Sequence, residues 1–266
     1  MAGYSAKFRK RRKVIRIILW IMLLLFVFLL FVATIVWVVN ADEIKIKKIL
    51  GLEITSTPTP MPTQPPSPTP SPTNTPTPAP KKGTVILDPG HGGTDSGSLS
   101  PDEKIAEKNI TLEIALLLRD ELEKRGYIVA MTRTDDQVTL SNADRAYIAN
   151  SKDAALLISL HMNTFPSDKS VNGLEILYDS SKDTSKKLAN ELISPVCVSS
   201  GAKNRGIKPR TNMTILKDVN VPSVDIEMGF MTCQADVDRI MNDEYRGKLV
   251  NGICDGIDSY ITKLTQ

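Results

Sequence analysis

Two histidines, His91 and His161, are the only histidines in this chain, and each follows directly from an apolar run typical of a strand. The two runs are TVILDPGH and ALLISLH. In a mostly parallel sheet, active sites form outside the carboxyl ends of the strands. If the two strands are neighbours, both imidazoles project from the same edge. Because imidazole is a common ligand of Zn²⁺, the pair predicts a metal site there.

The third ligand of this predicted site should be an acid near the same edge, since catalytic zinc typically takes three protein ligands and leaves a fourth position for water. Glu107 begins the helix predicted after the first strand, where the chain leaves that edge. Glu103 lies in the preceding loop and Glu113 lies two turns deeper in the helix, so both fit less well. Asp88 and Asp95 also compete, and spacing alone leaves the choice open.

A further acid, Glu227, ends the run VPSVDIE, which is also typical of a strand. A carboxylate beside zinc can take a proton from water and pass it to a departing amine. The alternative for Glu227 is a solvated acid at a strand end. Asp225 shares its face by strand alternation but lies deeper, so a structural hydrogen-bonding role is expected for it.

Short apolar runs that alternate with helical patterns must position these residues. Strands are predicted at residues 84–87, 127–131, 155–160, 173–178, 213–216 and 221–226. Helices are predicted at 109–124, 141–150, 184–199 and 243–264. The alternation predicts one α/β domain, residues 82–266, with a mostly parallel central sheet.

The 81 residues before this domain differ from it in composition. Residues 1–16 carry seven basic side chains and no acid, and the rest of the chain has 26 basic against 30 acidic residues, a net charge of −4. The formal net charge of +3 therefore belongs to the N-terminus, and no surplus of the kind that binds nucleic acid remains. Residues 17–39 contain no charge and, as a helix of about 34 Å, could cross a membrane.

The uncharged segment 17–39 is interpreted as a retained signal anchor, because the apolar region of a cleaved signal peptide usually spans about 7–15 residues. The basic segment 1–16 should then stay in the cytoplasm, which makes the protein a single-pass protein of the cell membrane with its domain outside. Residues 40–81 form an extracellular juxtamembrane segment and a Pro/Ser/Thr-rich linker that cannot build a core.

The three cysteines, Cys197, Cys233 and Cys254, contain no CxxC pair. Their number and spacing suit neither a disulfide framework nor a thiolate zinc site. Cys197 and Cys254 lie in apolar stretches and are expected to be buried small hydrophobic residues. The state of Cys233 is left open.

Residues 84–262 resemble the zinc-dependent N-acetylmuramoyl-L-alanine amidase family, type 3. The matching segments, in order, are VILDPGHGGTDSGS, AEKNITLEIA, TRTDD, DRAYIAN, ISLHMN, NRGIKPR and IEMGF. The resemblance implies one Zn²⁺ ion held by His91, Glu107 and His161, with Glu227 as the catalytic acid. It also implies a central sheet of about six strands flanked by helices. One departure is Cys233 after Thr232, where the family commonly has Asn.

The implied reaction is hydrolysis of the amide between N-acetylmuramic acid and L-alanine in peptidoglycan, with Asn163 and Arg205 as candidate substrate contacts. The alternative for these two residues is loop stabilisation and a solvated charge. Two other functions remain open on residue chemistry: a module that binds peptidoglycan or regulates another hydrolase, and a zinc carboxypeptidase or deacetylase of the cell wall. The intact set of two histidines and two glutamates disfavours a pure binder, and only the resemblance favours the amidase over the other enzymes.

Overall fold

The computed structural model describes residues 82–264. The predicted basic segment, anchor and linker, at residues 1–16, 17–39 and 40–81, lie outside the described residues. The last two positions of the predicted catalytic domain, 265 and 266, also lie outside them. Between residues 82 and 264, no helix combines the length and apolar character needed to cross a membrane.

The sheet has six strands in the order β2-β1-β3-β6-β4-β5. The strands are β1 (Thr84–Pro89), β2 (Ile128–Met131), β3 (Leu156–Asn163), β4 (Leu174–Asp179), β5 (Asn204–Arg210) and β6 (Ser223–Phe230). Every neighbouring pair is parallel except β4 and β6, which run antiparallel. The prediction of one α/β domain with a mostly parallel sheet of about six strands is confirmed.

In the described range 82–264, six helices cover the two faces of this sheet. They are α1 (Glu107–Lys124), α2 (Asn142–Asn150), α3 (Asp183–Ser200), α4 (Thr214–Lys217), α5 (Gln234–Ile240) and α6 (Asp243–Leu264). The larger core contains the apolar faces of α1, α3 and α6, whereas α2 and α4 pack on the opposite face. Strand alternation divides the two cores, since Val85 and Leu87 belong to the first and Ile86 to the second.

Local sequence explains where several helices begin and end. The α2 helix begins with a capping box, in which Ser141 and Asp144 each accept a hydrogen bond from the other's backbone N–H. The α3 helix ends at Gly201, whose φ of 74° is a left-handed conformation that glycine adopts without a steric penalty. The apolar stripe of α1 is buried as its spacing predicts, at Ile110, Ile114, Leu118 and Leu122.

Three elements differ from the predictions. Residues 213–216, predicted as a strand, contain the start of the short helix α4. An apolar run of four residues cannot be assigned to strand or buried helix by periodicity alone, and here Ile215 and Leu216 pack into the smaller core. The strand β5 and the helix α5 were not predicted. The β5 sequence NRGIKPR has little apolar signal because β5 is an edge strand, where a proline is tolerated.

All three cysteines are free and buried. The expectation for Cys197 and Cys254 is confirmed, and both thiols lie in the larger core. Cys233, whose state the sequence does not determine, is buried at the start of α5.

Candidate active site

The strands β1 and β3 are parallel neighbours, with Pro89 opposite Leu160. Their carboxyl ends therefore bring His91 and His161 to the same edge of the sheet, as the sequence predicted. The two imidazole rings lie with their centroids 4.9 Å apart and nearly perpendicular, at 80°.

Glu107, the first residue of α1, lies between these two rings. Its Oε1 atom is 3.1 Å from Nε2 of His91 and 3.0 Å from Nδ1 of His161. The backbone N–H of Met162 also donates to Oε1, and that of Ser98 donates to Oε2, each at 3.0 Å. The carboxylate is only 2% exposed, so these contacts fix its position.

Three of the acids that competed with Glu107 on spacing are not grouped with the histidines. Asp88 is buried and forms an ion pair with Arg145 at 2.8 Å. Glu113 pairs with Arg246 of α6 at 2.6 Å. Glu103 is exposed in the loop before α1. The structure therefore groups Glu107, and none of these three, with the histidines.

The fourth competing acid, Asp95, contacts the far side of a histidine. Its Oδ2 atom lies 2.8 Å from Nδ1 of His91. Such a contact holds the ring orientation and its tautomer, and leaves Nε2 facing Glu107. His91 itself has a φ of 61°, a left-handed conformation that is uncommon outside glycine and is often found at functional sites.

The electrostatics of this group favour a cation. Burial acts to lower the pKa of His161, but the charges of Asp225 and Glu227 and the hydrogen bond to Glu107 outweigh it and raise the pKa to about 10. Burial acts to raise the pKa of Glu107, yet its hydrogen bonds to the two histidines hold that pKa well below the ordinary value. The carboxylates around the rings thus stabilise positive charge, which either protons or a metal ion can supply.

The donor set fits Zn²⁺. Ligand atoms of His91, Glu107 and His161 lie within 4.8 Å of one another, and two imidazoles with one carboxylate form a known set for catalytic zinc. Two glycines leave the space these side chains need. A Cβ at Gly90 would overlap the ring of His161, and a Cβ at Gly97 would lie 2.6 Å from Cδ2 of His91 and 2.8 Å from Oε2 of Glu107.

Two buried arginines, Arg133 and Arg145, hold the backbone of the loop that carries His91. Arg145 donates to the carbonyl oxygens of Pro89 (2.6 Å) and His91. Arg133 donates to the carbonyl oxygens of Pro89 (3.1 Å) and Gly90 (2.9 Å). Sequence reasoning missed both roles, although the two arginines belong to the segments TRTDD and DRAYIAN that carry the family resemblance.

Glu227 and Asp225 lie on β6 beside His161, and Glu227 is its cross-strand partner. Burial and the charge of Asp225 raise the pKa of Glu227 well above its ordinary value. Burial likewise raises the pKa of Asp225 to about 6. Oε2 of Glu227 and Oδ1 of Asp225 are buried, and no group within residues 82–264 forms a hydrogen bond to either oxygen. The structural hydrogen bond expected of Asp225 is therefore not made by its Oδ1, and both acids line the same cleft as the histidines.

The two candidate substrate contacts differ in position. Asn163 lines the cleft, whereas Arg205 is not among the residues that form it. Both bind the same carboxylate, that of Glu175 on β4. Glu175 was not singled out from the sequence, although a charged residue inside the otherwise apolar run LEIL was a signal for it.

The cleft combines polar and apolar walls. Its apolar side chains come from the loop before α2, from β3 and from the start of α4, and they are Leu140, Met162, Met213 and Ile215. The polar groups converge from the ends of β1, β3 and β6 and from α1. A cleft with a few convergent polar groups and carboxyls of raised pKa is the expected form of an enzyme active site. Fold and site together define an α/β enzyme domain with a candidate metal centre at the carboxyl edge of its sheet.

Comparison with known proteins gives the family. The model of the N-acetylmuramoyl-L-alanine amidase family matches residues 85–259. An N-acetylmuramoyl-L-alanine amidase from Clostridium difficile 630 has a similar structure, with a TM-score of 0.65 and 35% identity over 67% of this chain and 96% of its own. The CwlD amidase from Clostridioides difficile, solved in complex with the GerS lipoprotein, has a TM-score of 0.64 and 32% identity over 68% of this chain and 99% of its own.

A curated relative of similar extent is the protein YqiI of Bacillus subtilis strain 168, which is 32% identical over 177 residues, or 66% of this chain and 84% of its own length. The chain belongs to the N-acetylmuramoyl-L-alanine amidase family. It is a hydrolase that acts on the amide between N-acetylmuramic acid and L-alanine in peptidoglycan.

Proposed function

We propose that His91, Glu107 and His161 hold one Zn²⁺ ion and that Glu227 is the general base and acid of the amide hydrolysis. The observation that carries this proposal is the Glu107 carboxylate, held about 3 Å from both imidazoles, in the same cleft as a carboxyl of raised pKa. A bound Zn²⁺ would supply Lewis-acid polarisation and lower the pKa of water at the site.

The chain's own residues move the proton. Glu227 accepts a proton from the attacking water as its oxygen bonds to the carbonyl carbon of the lactyl group. Burial and the charge of Asp225 raise the pKa of Glu227, which favours the protonated carboxyl that this transfer produces. Glu227 then donates the proton to the alanine nitrogen as the C–N bond breaks. The products are a lactyl carboxylate on the sugar and a free amino group on the stem peptide.

Mass spectrometry of purified peptidoglycan digested by the full chain, with and without a chelator, tests this proposal. We expect free stem peptides beginning at L-alanine, their loss after chelation, and their recovery when Zn²⁺ is added back. Activity that survives complete removal of the metal would contradict the metal centre. A different cleavage product would contradict the assignment of the bond.

We further propose that residues 17–39 anchor the enzyme in the cell membrane and that the linker in residues 40–81 holds the domain on the wall side. The support is the charge-free apolar segment that follows seven basic residues. Protease added to intact protoplasts should remove the domain and leave the N-terminal segment protected. A domain that is digested only after lysis would contradict this orientation.

A further inference from the structure

Glu175 is a buried carboxylate for which the proposed chemistry has no use. It lies on β4 directly opposite Glu227 of β6, as its antiparallel cross-strand partner. It is only 5% exposed. Two acids opposite each other in a sheet destabilise it, and a buried charge costs free energy unless it is paired and hydrogen-bonded. Because Glu175 destabilises the fold at this position, its presence there indicates a role in the cleft.

Both oxygens of Glu175 are bound to other side chains. Asn163 donates from Nδ2 to Oε1 at 2.9 Å, and Arg205 donates from Nε to Oε2 at 3.1 Å. The guanidinium of Arg205 also lies over the ring of Phe230, 5.0 Å from its centre. Arg205 therefore balances the charge of Glu175, and Glu175 links this cation to an amide in the cleft wall.

The contacts of Asn163 determine which way its amide faces. An ionised carboxylate is an acceptor only, so the nitrogen of the amide must face Glu175. On the other side, the backbone N–H of Thr164 donates to Oδ1 of Asn163 at 2.7 Å, so the oxygen must face Thr164. Because one neighbour only accepts and the other only donates, the flipped amide would lose both hydrogen bonds.

This orientation leaves a donor for the substrate. The Nδ2 group carries two N–H bonds, and one of them is used by Glu175. Within residues 82–264, the second N–H has no hydrogen-bond partner. Asn163 lines the cleft together with His161 and Glu227. A fixed N–H donor at this position matches a carbonyl oxygen of the bound substrate.

We propose that Glu175 is a positioning residue, which orients the amide of Asn163 so that its second N–H binds a carbonyl oxygen of the muramoyl-peptide substrate. The inference rests on the proposed function, since it assumes that the substrate lies between Asn163 and Glu227. Arg205 takes part as the counter-ion of Glu175.

The test measures kcat and KM of the zinc-loaded full chain on a soluble muramoyl peptide. Glu175→Gln and Asn163→Ala should each lower kcat/KM by about 10–100-fold, since a misplacement of about 1 Å in a positioning contact can cost about 100-fold. In Glu175→Gln the single amide oxygen stays with Arg205, so the amide nitrogen faces the Nδ2 donor of Asn163 and their hydrogen bond is lost. The double variant should therefore be no less active than the less active of the two single variants, because both changes remove the same contact. Zinc content should stay at the wild-type value in the two single variants and in the double variant.

The matched control is Asp179→Asn. Asp179 is a second buried acid on β4, 4% exposed, whose Oδ1 accepts hydrogen bonds from the backbone N–H and the hydroxyl of Ser181. This variant should keep wild-type kcat and KM. Losses that multiply in the Glu175→Gln/Asn163→Ala variant, or kinetics of Glu175→Gln that match those of the control, would overturn the inference.

An exchange of the two groups separates positioning from a purely structural role. In the double variant Glu175→Gln/Asn163→Asp, the glutamine can donate to the aspartate, so the side-chain hydrogen bond is restored, but the cleft now faces an acceptor. We expect the unfolding midpoint to recover relative to Glu175→Gln while turnover stays low. Recovery of both would mean that Glu175 acts on stability alone.

The outcomes also distinguish this inference from the proposed function beneath it. An inactive Glu227→Gln variant together with a fully active Glu175→Gln variant would leave the proposed function standing and refute the role of Glu175. An active Glu227→Gln variant would refute the proposed function itself.

Discussion

Glu227→Gln is expected to keep one zinc ion per chain while release of stem peptides falls by about 100- to 10,000-fold, the range that general acid–base groups contribute. Glutamine preserves the volume of the side chain but can neither accept the proton from water nor return it to the alanine nitrogen. The metal is retained because Glu227 is not among the three residues whose ligand atoms converge. Metal analysis and quantified stem-peptide release on the same preparation measure the two quantities.

The stability of this variant provides an independent measurement. Oε2 of Glu227 is buried and has no hydrogen-bond partner in the described part of the chain. Burial raises the pKa of Glu227, and the charge of Asp225 beside it raises this pKa further. A buried carboxylate with an unbonded oxygen destabilises the folded state, and its replacement by a neutral amide removes that destabilisation. The free energy of unfolding of the variant should therefore be equal to or higher than that of the wild type. A suitable control is Glu191→Gln, since Glu191 pairs with Lys263 on the surface. Wild-type turnover in Glu227→Gln would remove Glu227 from the reaction.

His161→Ala should lose both metal and activity. The change removes one of the three proposed ligands and leaves Glu107 with His91 alone, so zinc affinity should fall by more than the roughly 10–100-fold typical of losing an outer-shell partner. Zinc content after dialysis against a weak chelator, together with a competition titration, measures the loss. The midpoint of thermal unfolding in chelator checks that the variant is folded.

Asp95→Asn provides the graded comparison for this second prediction. Asp95 contacts the far side of His91 and is not one of the three converging residues, so its replacement should cost about 10–100-fold in zinc affinity. Zinc affinity is therefore expected to be highest in the wild type, lower in Asp95→Asn and lowest in His161→Ala. Full zinc retention by His161→Ala would show that the ligand set is wrong.

The sheet was predictable because its determinants are local. Buried parallel strands are short apolar runs, and the helices between them carry stripes such as that of α1. The elements that were missed have weak or ambiguous local signals. The edge strand β5 has few apolar residues, and the apolar run at 213–216 forms part of α4 because its neighbours in the smaller core accept a helix there.

By itself, the sequence determined that two histidines follow two apolar strands, and hence that a metal site was plausible at one edge of a parallel sheet. The segments that resemble the family also pointed to Glu107 and Glu227. Spacing could not choose Glu107 over Asp88, because the choice depends on which acids are already bound to buried arginines.

Only the tertiary structure decided the surroundings of the site. The order β3-β6-β4 places Asn163, Glu227 and Glu175 on adjacent strands, although Glu175 and Glu227 are far apart in the chain. An antiparallel pair inside a mostly parallel sheet leaves no mark in the periodicity of either strand, since alternation is the same in both directions. The hydrogen bonds that orient Asn163 and balance Glu175 exist only once these strands lie side by side.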